Sequence, residues 1–195
     1  AIAASFVLIV DFIPSLAYAA SDVPILGDIV SVVTFGRFEV QEDNYEANIT
    51  TPKIEGLLNK DLENKLNKEL EDNANTIIAA FESDIKKMSD MYGDKNFHLS
   101  VTADYEVKTD NEDILAVNFY FTTIEASAVT ANRFYNIDKK SGTLITLDSL
   151  FKKDADYVTP ISNYILSEMK KQNDDGTGFY FLDGEEEQRF TKIRN

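Results

Sequence analysis

The longest regular pattern in the chain is a row of apolar residues that return every three or four positions. Its members are Leu58, Leu62, Leu66, Leu70, Ala74, Ile77, Phe81, Ile85 and Met88. This spacing predicts an amphipathic helix over residues 59–91, with Asn59 as its cap. The row steps mainly by four, so a broad face packed on a sheet is favoured over a coiled coil.

Alternation of apolar and polar residues marks the strands. A hairpin and a following strand predict an antiparallel meander, and two edge strands are expected ahead of the long helix. The predicted strands are 37–40, 45–51, 97–107, 114–123, 131–137 and 143–146, and a second helix is predicted over 156–171. These elements predict an α+β fold in which the antiparallel sheet packs against the long amphipathic helix and the second helix.

The amino end has a membrane-like pattern. Residues 1–10 are all apolar or small, about half of the roughly 20 residues that a spanning helix needs. We interpret residues 1–20 as the outer half of a transmembrane or signal-like segment that continues upstream. Pro14 and Ala17-Tyr18-Ala19 follow the apolar run, and small residues in this order predict signal peptidase cleavage between Ala19 and Ala20.

The rest of the chain divides into two parts. An amphipathic juxtamembrane helix is predicted over 21–35, with Ser21 or Asp22 as its cap and Pro24 in its first turn. Residues 36–195 are expected to form a domain that continues beyond Asn195, because no element is completed there.

Composition narrows the class of partner. The chain has 195 residues, 44% of them hydrophobic and 27% charged, which is typical of a globular protein. Its 19 basic and 34 acidic residues give a net charge of -15. Nucleic acid is excluded as a partner because the phosphate backbone requires clustered positive charge, and a basic partner is favoured. The absence of cysteine excludes disulfides, thiol nucleophiles and thiolate metal sites.

Candidate chemistry is sparse. His98 is the only histidine, and no partner for acid–base work accompanies it, so a structural role is favoured over catalysis. The acidic run 185–187 lacks the alternating ligands and central glycine of a calcium loop and is interpreted as solvated surface. We predict no enzyme activity, no cofactor and no metal. The small residues of 125–130 fit either close approach of a partner or an ordinary hairpin connection.

Three stretches occur in an order and spacing that resemble a known family. They are VPILGDIV at 23–30 followed by TF at 34–35, GLLNKDLEN at 56–64, and the segments HLS, DYE, EAS, IDKK and TLDSLFK between 98 and 152. They resemble the RsiV family, lysozyme-sensing anti-sigma factors of Gram-positive bacteria. The resemblance covers nearly the whole chain.

The resemblance implies a single-pass protein of the cell membrane with this region outside the cell. A cytoplasmic part, absent from this chain, would hold an extracytoplasmic-function (ECF) sigma factor inactive. Binding of lysozyme, a basic protein, would expose the site at Ala17, Ala19 and Ala20 to signal peptidase, and an intramembrane protease would then release the sigma factor. We expect residues 21–35 to pack on the domain and protect this site until lysozyme binds.

The family's pattern also places the lysozyme contact. The implied contact residues are Glu125, Ala126, Ser127, Ala128 and Val129. The alternative is an exported cell-wall module of the kind attached to peptidoglycan deacetylases, which binds glycan or acts as a spacer. Such modules share the fold but usually lack the juxtamembrane segment.

Overall fold

The strands form one sheet in which the spatial order follows the chain order. The strands are β1 (Ser5–Val7), β2 (Ser31–Gln41), β3 (Tyr45–Glu55), β4 (Leu99–Asp110), β5 (Ile114–Ile124), β6 (Ala128–Asp138) and β7 (Thr143–Leu144). Neighbours are antiparallel except β3 and β4, which pair in parallel from Tyr45↔Leu99 to Ile49↔Ala103. This pair is parallel because a helix, and not a turn, connects the two strands.

The structure is a computed structural model that describes residues 5–7, 30–94, 96–182 and 190–193. The chain divides into two compact units, Ala1–Leu144 and Ile145–Asn195. The sheet and the long helix belong to the first unit, and the second helix belongs to the second.

The long helix α1 spans Lys60–Tyr92 and confirms the predicted helix. Asn59 caps it as expected, because its Oδ1 accepts a hydrogen bond from the Leu62 amide at 3.1 Å. The Asn59 Nδ2 donates to the Gly142 carbonyl at 3.1 Å, and a Cβ on Gly142 would lie 3.0 Å from the Asn59 Cβ. The cap therefore also ties the start of α1 to the turn between β6 and β7.

The core lies between α1 and one face of the sheet. The helix buries Leu66, Leu70, Ala74, Ile77, Phe81 and Ile85, all members of the predicted apolar row. The strands contribute the alternate residues of one face, among them Phe38, Ala47, Ile49, Leu99, Val101, Ala103, Leu115, Val117, Phe119, Tyr135 and Ile137. The predicted α+β fold is confirmed, with a sheet packed on the long helix that is antiparallel except at the β3–β4 pair.

Two predictions ahead of α1 are wrong. The helix predicted over 21–35 is replaced by a strand over 31–35, because β2 begins at Ser31 and pairs there with Glu55. The β-branched pair Val32 and Val33 suits a strand better than a helix. The strand predicted as 45–51 is not an edge strand, since β3 lies between β2 and β4. Residues 21–29 lie outside the described residues.

The predicted membrane segment 1–20 is described only at Ser5–Val7. These residues form β1, antiparallel to β2 with Phe6 opposite Phe38, and so are a strand and not part of a helix. Short apolar runs suit either element, and periodicity does not distinguish them. Within the part of the chain that the structure covers, no helix is long and apolar enough to cross a membrane.

The second unit contains a short 3-10 helix, Asp148–Leu150, and helix α2, Val158–Asp175, which confirms the second predicted helix. Tyr157 precedes α2, stacks on Phe151 at 4.4 Å and donates its hydroxyl to Asp148 Oδ1 at 3.2 Å. At the other end Asn173 exchanges two hydrogen bonds with the backbone of Tyr180, at 2.7 and 2.8 Å. Side chains at both ends therefore fix α2 to its flanking loops.

Candidate binding surface

Five strands and the end of α1 meet at one end of the sheet, which we call the tip end. The parallel strands β3 and β4 both begin there, β2 and β5 end there, and β6 starts there. The last turns of α1 also reach it, because Met88 and Tyr92 line a cleft together with Ala126. The pairing of the strands thus brings together residues that are far apart in sequence.

The hairpin of β5 and β6 carries the predicted lysozyme-contact residues. Its pairing runs without a register shift from Ile114↔Asp138 to Ile124↔Ala128, and residues 125–127 form the turn. The Glu125 amide donates to the Ser127 carbonyl at 3.2 Å. Glu125, Ala126, Ser127, Ala128 and Val129 are all exposed, and we call these five residues the hairpin tip. The predicted loop is shorter than expected, since β6 starts at Ala128 instead of residue 131.

A cleft of about 290 Å³ lies between the hairpin tip and the end of α1. We call it the end cleft; its lining consists of Met88, Tyr92, Asn96, Phe97, His98, Glu125 and Ala126. Asn96 Nδ2 donates to the Tyr92 carbonyl at 2.8 Å, and Phe97 stacks on Tyr45 at 6.3 Å. His98 is exposed at this cleft, just before β4, and is not a core residue.

The tip end is acidic. A second cleft, of about 310 Å³, is lined by Glu42, Asp43 and Asp94 beside the last turns of α1. Among the described residues none of these three carboxylates, nor that of Glu125, forms an ion pair. The nearby lysines of α1 are engaged elsewhere, since Lys86 pairs with Asp90 and Lys87 with Asp84, each at 2.7 Å. Among the described residues, this end of the domain therefore carries unpaired negative charge.

Sequence reasoning found the hairpin tip but missed the end cleft. The aromatic residues that line the cleft come from two different elements: Tyr92 lies in the last turn of α1, and Phe97 lies just before β4. One signal was available in the sequence: the predicted helix ends in the large apolar residues Met91 and Tyr92, and its last turn contains no basic residue.

A second polar cluster joins α1 to β6 away from the tip end. The Tyr135 hydroxyl donates to Glu69 Oε1 at 3.1 Å and accepts from Asn73 Nδ2 at 3.2 Å. Arg133 Nη1 donates to Asn73 Oδ1 at 3.0 Å and lies 3.3 Å from Glu69 Oε1. Burial, together with the Glu69 carboxylate, raises the pKa of Tyr135 to about 12.

This raised pKa predicts a loss of stability in alkali. Below pH 10 the tyrosine is protonated in both states; between pH 10 and about 12 only the unfolded state ionises, so the contribution is lost as pH rises. Tyr135→Phe should therefore be less stable than the wild type at pH 8 but lose less stability between pH 9 and 11.5. Urea unfolding at a series of pH values measures this, with the exposed Tyr92→Phe as control. Parallel pH profiles for wild type and Tyr135→Phe would contradict it.

The remaining predicted sites are only partly described. The cleavage residues Ala17, Ala19 and Ala20 and the acidic run 185–187 lie outside the described residues. In the described part of the chain, no group of three or more His, Asp or Glu side chains is placed to hold a metal ion.

Comparison with known proteins identifies the family. A family model described as Deacetylase PdaC matches residues 38–123. Anti-sigma-V factor RsiV of Bacillus subtilis strain 168 is 36% identical over 189 residues, which cover 96% of this chain. The chain belongs to the RsiV family. This RsiV-family chain spans 64% of the length of that relative.

Of two similar solved structures, the first supports the fold and nothing beyond it. A crystal structure of a DUF3298 family member from Bacteroides fragilis NCTC 9343 aligns with a TM-score of 0.50 at 11% identity, over 78% of the RsiV-family chain and 72% of the other. A DUF3298 family protein from Pseudomonas aeruginosa PAO1 aligns with a TM-score of 0.42 at 12% identity, over 75% and 67% of the two chains.

Proposed function

We propose that this RsiV-family chain is the exterior, ligand-sensing part of a membrane-anchored anti-sigma factor. The observation that carries the proposal is the 36% identity to an anti-sigma-V factor across nearly the whole chain. The bound sigma factor would be of the ECF class and would be held by a cytoplasmic part outside this chain. The chain itself acts by binding and not by catalysis.

The proposed ligand is lysozyme, bound at the hairpin tip. The five tip residues are exposed and project from the end of a regular two-stranded hairpin, so a large partner can reach them. The net charge of -15 favours a basic protein and speeds its encounter with the chain. The carboxylates of Glu42, Asp43 and Asp94 contribute part of this charge beside the tip.

The proposed output is cleavage between Ala19 and Ala20 by signal peptidase, followed by an intramembrane protease that releases the sigma factor. The cleavage site precedes β2, which enters the sheet at Ser31, at the end opposite the hairpin tip. Strand β2 has 11 residues, so these two ends of the sheet lie about 35 Å apart. Lysozyme at the tip would act on the cleavage site by shifting a conformational equilibrium.

The proposed membrane anchor is incompatible with the pairing of β1 on β2. Residues Ser5–Val7 cannot pair with β2 and lie in the bilayer at the same time. In the anchored protein these residues would leave β2, and the edge of β2 would become available to the segment that carries the cleavage site. This exchange is one candidate for the two-state element that lysozyme controls.

A titration of the full chain in detergent micelles with hen egg-white lysozyme tests the proposal. We expect saturable binding whose association rate falls several-fold between 50 and 500 mM NaCl, because salt screens exposed charges. Cytochrome c, another small basic protein, serves as the control for binding by charge alone. Failure to bind lysozyme, or equal binding of cytochrome c, would contradict the assignment of lysozyme as ligand.

A second candidate function is favoured by one observation, the PdaC family match to residues 38–123. The chain would then be an exported cell-wall module that binds glycan or spaces an attached enzyme. Sedimentation with insoluble peptidoglycan separates the two functions. Retention by peptidoglycan without affinity for lysozyme would favour the module.

A further inference from the structure

We propose that the end cleft is the pocket for one arginine or lysine side chain of the basic protein that binds this chain. The inference rests on the proposed function and deepens it, because it adds a second contact area beside the hairpin tip. Three properties of the cleft support it: aromatic walls, a carboxylate at the rim and the negative end of a long helix.

The walls of the cleft suit a cation. Tyr92 is 54% exposed, so much of its side chain is open to a partner. Phe97 is half-buried and is held by its stacking on Tyr45, with a ring separation of 6.3 Å. Cations bind over aromatic faces of this kind, and the flat guanidinium of arginine also stacks on them. Met88 lines the same cleft and offers apolar surface to the methylene groups of a long side chain.

Among the described residues, the charges around the cleft have the matching sign. Glu125 lines the cleft, and Asp94 follows directly after the C-cap Gly93 of α1. The carbonyl groups at the end of a helix carry partial negative charge and favour a nearby cation. The last turn of α1 contains no basic residue, so within the described residues the helix supplies no cation of its own for this end.

The acidic group at the C-terminal end of α1 lowers the stability of this helix. Asp94 stands where a helix prefers lysine or arginine, so its carboxylate is unfavourable there, while Asp90 is already paired with Lys86. Asp94 is held in place by the Ser89 hydroxyl, which donates to its Oδ1 at 2.6 Å. A cation brought by a partner would remove this unfavourable interaction on binding. The feature that weakens the free domain thus strengthens the complex.

Two substitutions test the pocket in the full chain, with lysozyme as the probe. Tyr92→Leu removes the aromatic face and keeps apolar bulk, and we expect the Kd to rise about fivefold. Glu125→Gln removes the carboxylate with little change of shape, and we expect a rise of about three- to tenfold together with a weaker salt dependence. Met91→Leu, on the same turn of α1 and 69% exposed but outside the lining, is the control and should leave the Kd unchanged.

Modified lysozyme identifies the cation. Acetylation of its lysines and cyclohexanedione treatment of its arginines neutralise the two groups separately. If the pocket holds one of them, that modification should abolish the difference between wild type and Tyr92→Leu, while the other leaves it intact. A difference that survives both modifications would show that the cleft binds no cation.

A stability measurement distinguishes a role of Asp94 in binding from a role in the fold alone. Asp94→Asn should raise the urea midpoint of the free chain, because it removes an acidic group from the helix end, and should slow association with lysozyme. A lower midpoint would show that Asp94 only supports the fold, against the proposal. If wild type does not bind lysozyme at all, the proposed function fails; if wild type and Tyr92→Leu bind equally well, only the pocket is wrong.

Discussion

Phe81→Ala is expected to lower the free energy of unfolding of the sheet unit by about 3–5 kcal/mol. Phe81 is 2% exposed and lies at the centre of an aromatic contact between α1 and the sheet. Its ring meets Phe38 of β2 at 6.4 Å and Tyr45 of β3 at 6.1 Å, both edge to face. Truncation therefore removes two favourable ring contacts and leaves a cavity that the neighbouring rings cannot fill without moving.

Urea unfolding followed by circular dichroism measures this loss. Glu82→Ala, an exposed neighbour on the same helix, is the matched control and should change stability by less than about 0.5 kcal/mol. A loss below about 1 kcal/mol for Phe81→Ala would mean that α1 does not pack on β2 and β3 as described. Such a result would also remove the physical basis of the tip end, which depends on the position of α1.

Ser127→Trp is expected to weaken lysozyme binding by about 10- to 100-fold. Ser127 is exposed in the turn, and its carbonyl accepts the hydrogen bond that closes the turn. The new side chain would project from the hairpin tip, where the proposed partner must approach closely. Overpacking of a closely fitted contact costs about 1–3 kcal/mol, which corresponds to this range of affinity.

Titration of the wild type and of three variants with lysozyme checks this expectation. Ser127→Ala removes only a hydroxyl and should bind within about twofold of wild type, while Ser141→Trp adds the same bulk at the opposite end of the sheet and should have no effect. Unchanged affinity of Ser127→Trp would place the binding face elsewhere on the domain. Equal weakening by Ser141→Trp would point to a general loss of folded protein.

Local patterns predicted the elements that interact with close neighbours in sequence. The apolar row gave α1 to within one residue at each end, because one helix face alone packs on the sheet. The hairpin of β4 and β5 and the strand β6 followed from period-two alternation, since their register is set by short turns. Asn59 was recognised as a cap because its role depends on only the first turn of the helix.

Features that depend on distant residues could not be predicted in this way. The interior position of β3 results from parallel pairing with β4, which lies beyond the whole of α1 in sequence. The start of β2 at Ser31 depends on its partner Glu55, so the same apolar residues were read as a helix. The end cleft combines Tyr92, Phe97 and Ala126, which share no local pattern.

The parallel seam between β3 and β4 also governs how the domain folds. The hairpin β2–β3 and the meander β4–β5–β6 each close short loops. The parallel pairing of β3 with β4 can form only after α1 has crossed the sheet. Until then β3 and β4 expose open edges, with Ile49 and Ala103 uncovered, and such edges readily pair with other chains. Substitutions along this seam should therefore affect folding speed and aggregation during synthesis as well as the stability of the finished domain.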